Sequence, residues 1–302
     1  MHVHHAIDRP TRVEESAVAR RKLGLAIGIT SIVMLLEVAG GWWANSLALL
    51  SDAGHMLTDV LSLGMAMFAV TMACRPAPVG KTWGYYRLEI LAALTNGVVL
   101  AAVCLLIFYE AAVRFFVPQE VDSDLLLVVA AAGLLANLVG MWLLSHSGSL
   151  NVRVARLHVT GDALSSAGVL AAGVVISFTS WYWVDSLVSL AIGVVVLRSA
   201  FHLLVETVDV LLEATPRGID PAEVCRAIER ESGITGVHDL HIWSITSGMP
   251  ALSGHVILDP ECHAQSDDTL NRIKEMLRQR FAIEHTTIQI ESESYTEVGE
   301  VH

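Results

Sequence analysis

The sequence predicts an α-helical membrane protein in which a six-helix transmembrane bundle is followed by a small cytoplasmic αββαβ domain. The first observation is composition, because 53% of the 302 residues are hydrophobic and only 17% are charged. A soluble domain of this length rarely carries so few charges. The second is a series of six apolar stretches, each able to supply the roughly 20 residues that cross a bilayer core. The third is a change to a soluble composition after Leu212.

The six apolar stretches are predicted to span the bilayer as helices. They cover residues 23–43, 47–73, 86–116, 124–146, 157–179 and 184–209. The first follows the basic segment ARRKLG and is too long, and too poor in small cleavage-site residues, for a secretory signal. We therefore expect this span to be retained in the protein.

Basic residues predict the orientation of the spans. Arg20, Arg21 and Lys22 precede span 1. Arg75, Lys81 and Arg87 lie between spans 2 and 3, and Arg153 and Arg156 lie between spans 4 and 5. The alternate loops, ANS, VPQEVDSD and TSWYW, carry no Lys or Arg. Because loops rich in Lys and Arg stay on the cytoplasmic side, both termini are predicted to be cytoplasmic.

The chain is predicted to divide into four segments. These are a cytoplasmic tail over 1–20, the six-span domain over 21–212, a cytoplasmic α+β domain over 213–295 and a C-terminal tail over 296–302. A domain of about 80 residues folds alone only marginally, so a dimer partner would stabilise the α+β part.

The elements of the α+β domain follow from local patterns. Asp220 is a good N-cap with Pro221 at the first helical position, which predicts a helix over 221–232. GVHDLHIWSIT and ALSGHVILD alternate as strands around the turn SGMP. Residues 267–281 have apolar positions at helical spacing, and HTTIQIE is rich in β-formers. The resulting order is αββαβ.

Two spans repeat one polar motif. His55 and Asp59 are four residues apart on span 2, and His158 and Asp162 have the same spacing on span 5. Residues at this spacing share one helix face. Charged groups deep in a bilayer are costly and usually face the protein interior and pair. Two imidazoles and two carboxylates supply a tetrahedral set that suits Zn²⁺ and neutralises its charge.

Other polar residues of the spans leave alternatives open. Asp52 lies on roughly the same face as His55 and either is solvated, at the helix end or along an access path for ions, or takes part in metal coordination. The remainder either line a cavity or act as packing residues between helices. They are Glu37, Asn45, Glu89, Asn96 and Asn137.

Several classes of protein are disfavoured. The four cysteines form no CxxC pair, which argues against a cysteine zinc finger, and a net charge of −12 argues against a nucleic-acid partner. Neither the H-E-x-x-H motif of a metalloprotease nor a G-x-S-x-G elbow occurs in the sequence, so we expect no enzyme.

The chain resembles the cation diffusion facilitator family, in its zinc-transporting branch. The matching stretches are SLALLSDAGHMLTDV, YYRLEILAALTNG, HVTGDALSSAGVL, DLHIW and HTTIQIE. The resemblance implies a homodimeric exporter that exchanges Zn²⁺ for protons by alternating access, with His55, Asp59, His158 and Asp162 as its transport site. Two H-x-x-x-D couples accompany zinc preference in the family. A binding protein that senses zinc without moving it is the alternative.

The resemblance also implies metal in the cytoplasmic domain, which would have a metallochaperone-like, ferredoxin-like fold. The ligand candidates carried over are His241, His255, His285 and Glu291, with His238 as a substitute. Exposed histidines of soluble domains are mostly just solvated, which is the alternative for each. In the family this metal is structural or regulatory.

The loop CRPAPVGKTWGYYR has no histidine or carboxylate, so a further metal site of some members is expected to be absent. The short loop SHSGSLNVRVAR favours a bacterial plasma-membrane protein over eukaryotic relatives with long histidine tracts.

Overall fold

The computed structural model describes residue 28, residues 30–73, 78–144 and 150–292, and residue 295. A first helix, α1, covers 30–43. Five long helices follow: α2 (Leu47–Ala73), α3 (Leu88–Phe116), α4 (Ser123–Leu144), α5 (Leu150–Thr179) and α6 (Trp183–Leu211). The described helices coincide with the six predicted spans, although α5 begins earlier than its predicted span. Residues 23–27 and 29 of the first span and 145–146 of the fourth lie outside the described residues.

Four helices of the described part are long and apolar enough to cross a membrane. They are Leu88–Phe116, Ser123–Trp142, Val159–Thr179 and Trp183–Leu211. The first and second predicted spans lie partly outside the described side chains. Many large apolar side chains of the long helices, such as Leu106, Val128 and Phe178, are exposed on the protein surface. This is the pattern of helices whose outer faces contact lipid.

The chain forms two compact units, residues 1–64 with 96–201 and residues 65–95 with 202–302. The core of the first unit is built where α2 to α6 bury small and branched side chains against one another. Its members include Ala48, Leu49, Leu100, Leu126, Val169 and Val196. Small residues allow this close approach, since Gly173 lies directly against Leu126.

The second unit contains the α+β domain in the predicted order: α7 (Pro221–Glu229), β1 (Ile234–Thr246), β2 (Met249–Leu258), α8 (Ser266–Phe281) and β3 (His285–Ser292), with a short 3-10 helix before α8. The strands form one sheet in the order β1-β2-β3. β1 and β2 are antiparallel, and β2 and β3 are parallel. Val224, Ile228, Ile273 and Leu277 of the helices share one core with the sheet.

The first helix of this domain differs from prediction at its end. Asp220 caps α7 as expected, because its carboxylate accepts from the backbone N–H of Ala222. The helix ends at Glu229 rather than residue 232, since the chain must reverse before β1. Gly233, with φ +86°, supplies the left-handed conformation of that turn.

Candidate metal centres

The two H-x-x-x-D motifs lie on helices α2 and α5 of the same unit. His55 Nε2 lies 3.5 Å from Asp162 Oδ1, which joins one member of each motif across the two helices. Asp162 is only 3% exposed, and His55 is half-buried. The side chains of Asp59 and His158 lie outside the described residues, but their backbones are helical, one turn after His55 and one turn before Asp162. The structure therefore brings together one imidazole and one carboxylate of the predicted set.

Asp52 is buried and hydrogen-bonded between α2 and α5. Its Oδ1 accepts from Ser165 Oγ at 2.5 Å, and its Oδ2 accepts from Ser166 Oγ at 3.0 Å. Ser166 Oγ in turn accepts from Asn137 Nδ2 of α4 at 3.2 Å. The Asp52 carboxylate thus fixes α2 against α5 one turn before His55.

A carboxylate of α6 caps the beginning of α2. Asp185 accepts from Ser46 Oγ at 2.6 Å and from the backbone N–H groups of Leu47 and Ala48 at 2.7 and 3.4 Å. The first N–H groups of a helix have no partner within the helix, and a negative charge there is favourable. One turn further on, Ser51 Oγ and Ser189 Oγ lie 2.6 Å apart. Helix α2 is therefore anchored to α6 at its start and to α5 beside the candidate ligands.

A second cluster lies on the sheet of the α+β domain. His238, His255 and Glu291 place one ligand atom each within 4.8 Å of one another. His238 Nε2 lies 2.9 Å from Glu291 Oε2, and His255 Nδ1 lies 2.9 Å from Glu291 Oε1. Two imidazoles and a carboxylate are ligands that Zn²⁺ accepts, and three protein ligands leave a fourth position open.

Strand register explains why these three residues meet. His238 of β1 is paired directly with His255 of β2, and β3 runs alongside β2 with Ile257 opposite Glu291. Gln289 shares the face of Glu291, as the alternation of a strand requires, and its Nε2 donates to Glu291 Oε1 at 2.8 Å.

The Glu291 carboxylate is ionised at neutral pH. Burial by itself raises its pKa, but hydrogen bonds with His238 and Gln289 and the nearby His255 outweigh burial and hold the pKa below its ordinary value of 4.5. A deprotonated carboxylate is the form that binds metal.

Two of the predicted cytoplasmic ligands lie apart from this cluster. A bulge separates His238 from His241, with Asp239 at φ +50°, so that His241 is opposite Ser253. His241 Nε2 lies 3.0 Å from Asp239 Oδ1. His285 begins β3 and packs edge-to-face against Trp83, with ring centroids 5.4 Å apart. The structure therefore groups His255 and Glu291 with His238, the substitute, rather than with His241 and His285.

Known families match both parts of the chain. Residues 23–212 match the cation efflux transmembrane domain, and residues 216–293 match the cytoplasmic domain of cation efflux proteins. This chain belongs to the cation efflux family. Its members are membrane transporters and not enzymes, so the chain is a multi-pass inner-membrane protein for metal cation efflux.

Relatives in bacteria are similar over nearly their whole length. The cation efflux system protein CzcD of Alcaligenes sp. strain CT14 is 44% identical over 90% of this chain and 86% of its own. A cadmium, cobalt and zinc/H(+)-K(+) antiporter of Bacillus subtilis is 43% identical over 87% of this chain and 86% of its own. The zinc transporter ZitB of Escherichia coli is 42% identical over 90% of this chain and 87% of its own.

A solved structure is similar to part of the chain. The metal-bound C-terminal domain of the CzcD transporter of Cupriavidus metallidurans is 41% identical, covers 24% of this chain and 99% of its own, and has a TM-score of 0.23.

Proposed function

We propose that this protein exports Zn²⁺ from the cytoplasm in exchange for protons, by alternating access of a site between α2 and α5. The observation that carries the proposal is the contact of His55 with Asp162, at 3.5 Å across the two helices that repeat H-x-x-x-D. Asp59 and His158 would complete a tetrahedral set of two imidazoles and two carboxylates. The zinc named for the E. coli relative agrees with this ligand set.

Proton exchange follows from the chemistry of these ligands. Binding requires neutral imidazole and ionised carboxylate, so metal entry releases protons and acid opposes it. When metal leaves, two carboxylates in a low-dielectric site are unfavourable unless protons replace it. A site of this composition alternates between Zn²⁺ and protons. The antiporter named for the B. subtilis relative is consistent with exchange.

The cytoplasmic domain has a different role in this proposal. We assign residues 21–212 to transport and residues 213–295 to metal binding and homodimer formation, with both termini in the cytoplasm. Zn²⁺ held by His238, His255 and Glu291 would stabilise this domain and regulate transport without being carried. The small size of the domain supports a dimer, because burying a further apolar surface compensates for a limited core.

Flux measurements in sealed proteoliposomes test the transport proposal. We expect zinc uptake by the wild type to rise when the lumen is made acidic, and we expect Asp59→Ala and Asp162→Ala to lose uptake while they remain folded. Asp124→Ala is the matched control, because it removes an exposed carboxylate from the first turn of α4.

Two outcomes would contradict the proposal in different ways. Zinc uptake that ignores the imposed pH difference would remove proton exchange. Zinc binding without any uptake would instead identify a membrane zinc receptor.

A further inference from the structure

Glu37 is a fully buried carboxylate that the proposed site does not use. It lies on α1, and its exposed fraction is 0%. Within the described part of the chain, neither of its side-chain oxygens has a hydrogen-bond partner. An ionised carboxylate in such a place is strongly unfavourable without a partner. Asp52 and Asp185, two other buried carboxylates of the same unit, are different, since hydroxyls or backbone N–H groups satisfy them.

Glu37 is placed beside the transport site. It contacts α4 one turn before Asn137, whose Nδ2 donates to Ser166 Oγ, and Ser166 Oγ donates to Asp52. The acidic side chains of Asp52 and Asp162 are near enough to repel its carboxylate. On α4 it meets Gly133, where a Cβ atom would lie only 2.5 Å from Glu37 Oε1. Asp124 is the one ionisable residue of α4 and lies in its first turn, and α1 has no other ionisable residue over 30–43. The described residues of α1 and α4 contain no basic group that could neutralise Glu37. His55 of α2 can carry a positive charge, but it lies 3.5 Å from Asp162 and pairs with that carboxylate.

The metal-free site favours a proton on Glu37. Without Zn²⁺, the carboxylates of Glu37, Asp52 and Asp162 repel one another in a low-dielectric region, and a proton on one of them lowers that repulsion. Bound Zn²⁺ adds positive charge to the same region and therefore opposes the proton.

We infer that Glu37 binds the proton that is exchanged for metal. Entry of Zn²⁺ from the cytoplasm favours the ionised carboxylate, so the carboxyl O–H bond breaks and the proton leaves to cytoplasmic water. When Zn²⁺ departs on the opposite side, the bare carboxylate binds a proton from that side. Gly133 provides the space that lets the carboxylate approach α4. This inference rests on the proposed zinc–proton exchange and assigns it to one residue.

The test counts protons per zinc ion in proteoliposomes that contain the full chain. A pH dye in the lumen reports protons, a zinc dye reports metal, and the membrane potential is clamped at zero. Glu37→Gln imitates the protonated form and cannot release a proton. We expect this variant to bind zinc within about twofold of the wild type and to release one proton fewer per zinc. Compared with the wild type, its steady-state ratio of luminal to external zinc should then be about tenfold smaller for each unit of imposed pH difference.

Two further variants complete the design. Glu120→Gln removes an exposed carboxylate outside the site and should leave the proton count unchanged. Glu37→Asp keeps a carboxylate but moves it by one methylene, so we expect the proton count to stay and the pH of half-maximal uptake to shift. This variant decides the question if Glu37→Gln does not fold, and a pH profile identical to that of the wild type would overturn the inference.

Other outcomes separate this inference from the proposed function. Equal proton counts in the wild type and Glu37→Gln would overturn the role of Glu37 and leave zinc–proton exchange intact. Loss of zinc binding in Glu37→Gln would also overturn it, since Glu37 would then be a metal ligand. A wild type whose uptake ignores the pH difference would overturn both.

Discussion

At the scale of single residues, Glu291 determines the charge of the cytoplasmic cluster. Hydrogen bonds with His238 and Gln289 lower its pKa in spite of burial. A carboxyl whose pKa is lower in the folded state contributes stability that is present above its unfolded pKa and is lost as the pH falls through the folded value. The relevant range therefore begins near pH 4.5 and extends to lower pH.

Replacement of Glu291 tests this charge without metal. In zinc-free full-length protein, we expect Glu291→Gln to destabilise the sheet by about 1–3 kcal/mol at pH 7, since buried hydrogen-bonding partners lose a charged acceptor. The difference should shrink as the pH falls below 4.5. Hydrogen exchange of the β2 and β3 amides measures both effects. A difference that does not depend on pH would show that the carboxylate is not the cause.

Residue spacing predicts some contacts and misses others. The i, i+4 spacing of His55 and Asp59, repeated at His158 and Asp162, was enough to propose a site between two helices. The sequence does not predict the hydroxyls that donate to Asp52, because no spacing marks Ser165 and Ser166 as its partners. For the same reason it leaves both a cavity role and a packing role open for Glu37. These contacts depend on which helix faces meet, and periodicity alone does not give that.

At the scale of elements, Asp185 connects the start of α2 to α6. A side chain that caps a helix contributes about 1–2 kcal/mol. We expect Asp185→Ala to increase hydrogen exchange at the first amides of α2 and to lower the rate of zinc transport. Ser189→Ala is the control, because a hydrogen bond between membrane helices is worth only about 0.6 kcal/mol on average. Equal exchange at α2 in the two variants would contradict the capping role.

Element order and length were largely predictable, but a bulge was not. The apolar stretches gave the long helices, and the alternation of GVHDLHIWSIT and ALSGHVILD gave β1 and β2. A regular strand does not reveal that Asp239 adopts a positive φ and shifts the register before His241. This shift leaves His238, and not His241, beside His255. Sequence patterns specify strands better than the irregularities within them.

At the scale of the whole molecule, the two proposed zinc sites share no ligand. We expect Asp162→Ala to lose one bound zinc ion per protomer, His255→Gln to lose a different one, and the double variant to lose both. Effects of separate sites without shared partners should add. Zinc titration of the purified protein measures this, with His285→Gln as a control that keeps full binding. Loss of both ions in either single variant would contradict separate sites.

The most direct test locates the transported ion. Zinc-edge anomalous scattering from crystals of the zinc-loaded full chain shows where the metal lies and which atoms hold it. We expect an ion between α2 and α5 at about 2.0–2.2 Å from a nitrogen of His55 and His158 and an oxygen of Asp59 and Asp162. Zinc bound elsewhere in the membrane part, with these four side chains too distant to share it, would contradict the account.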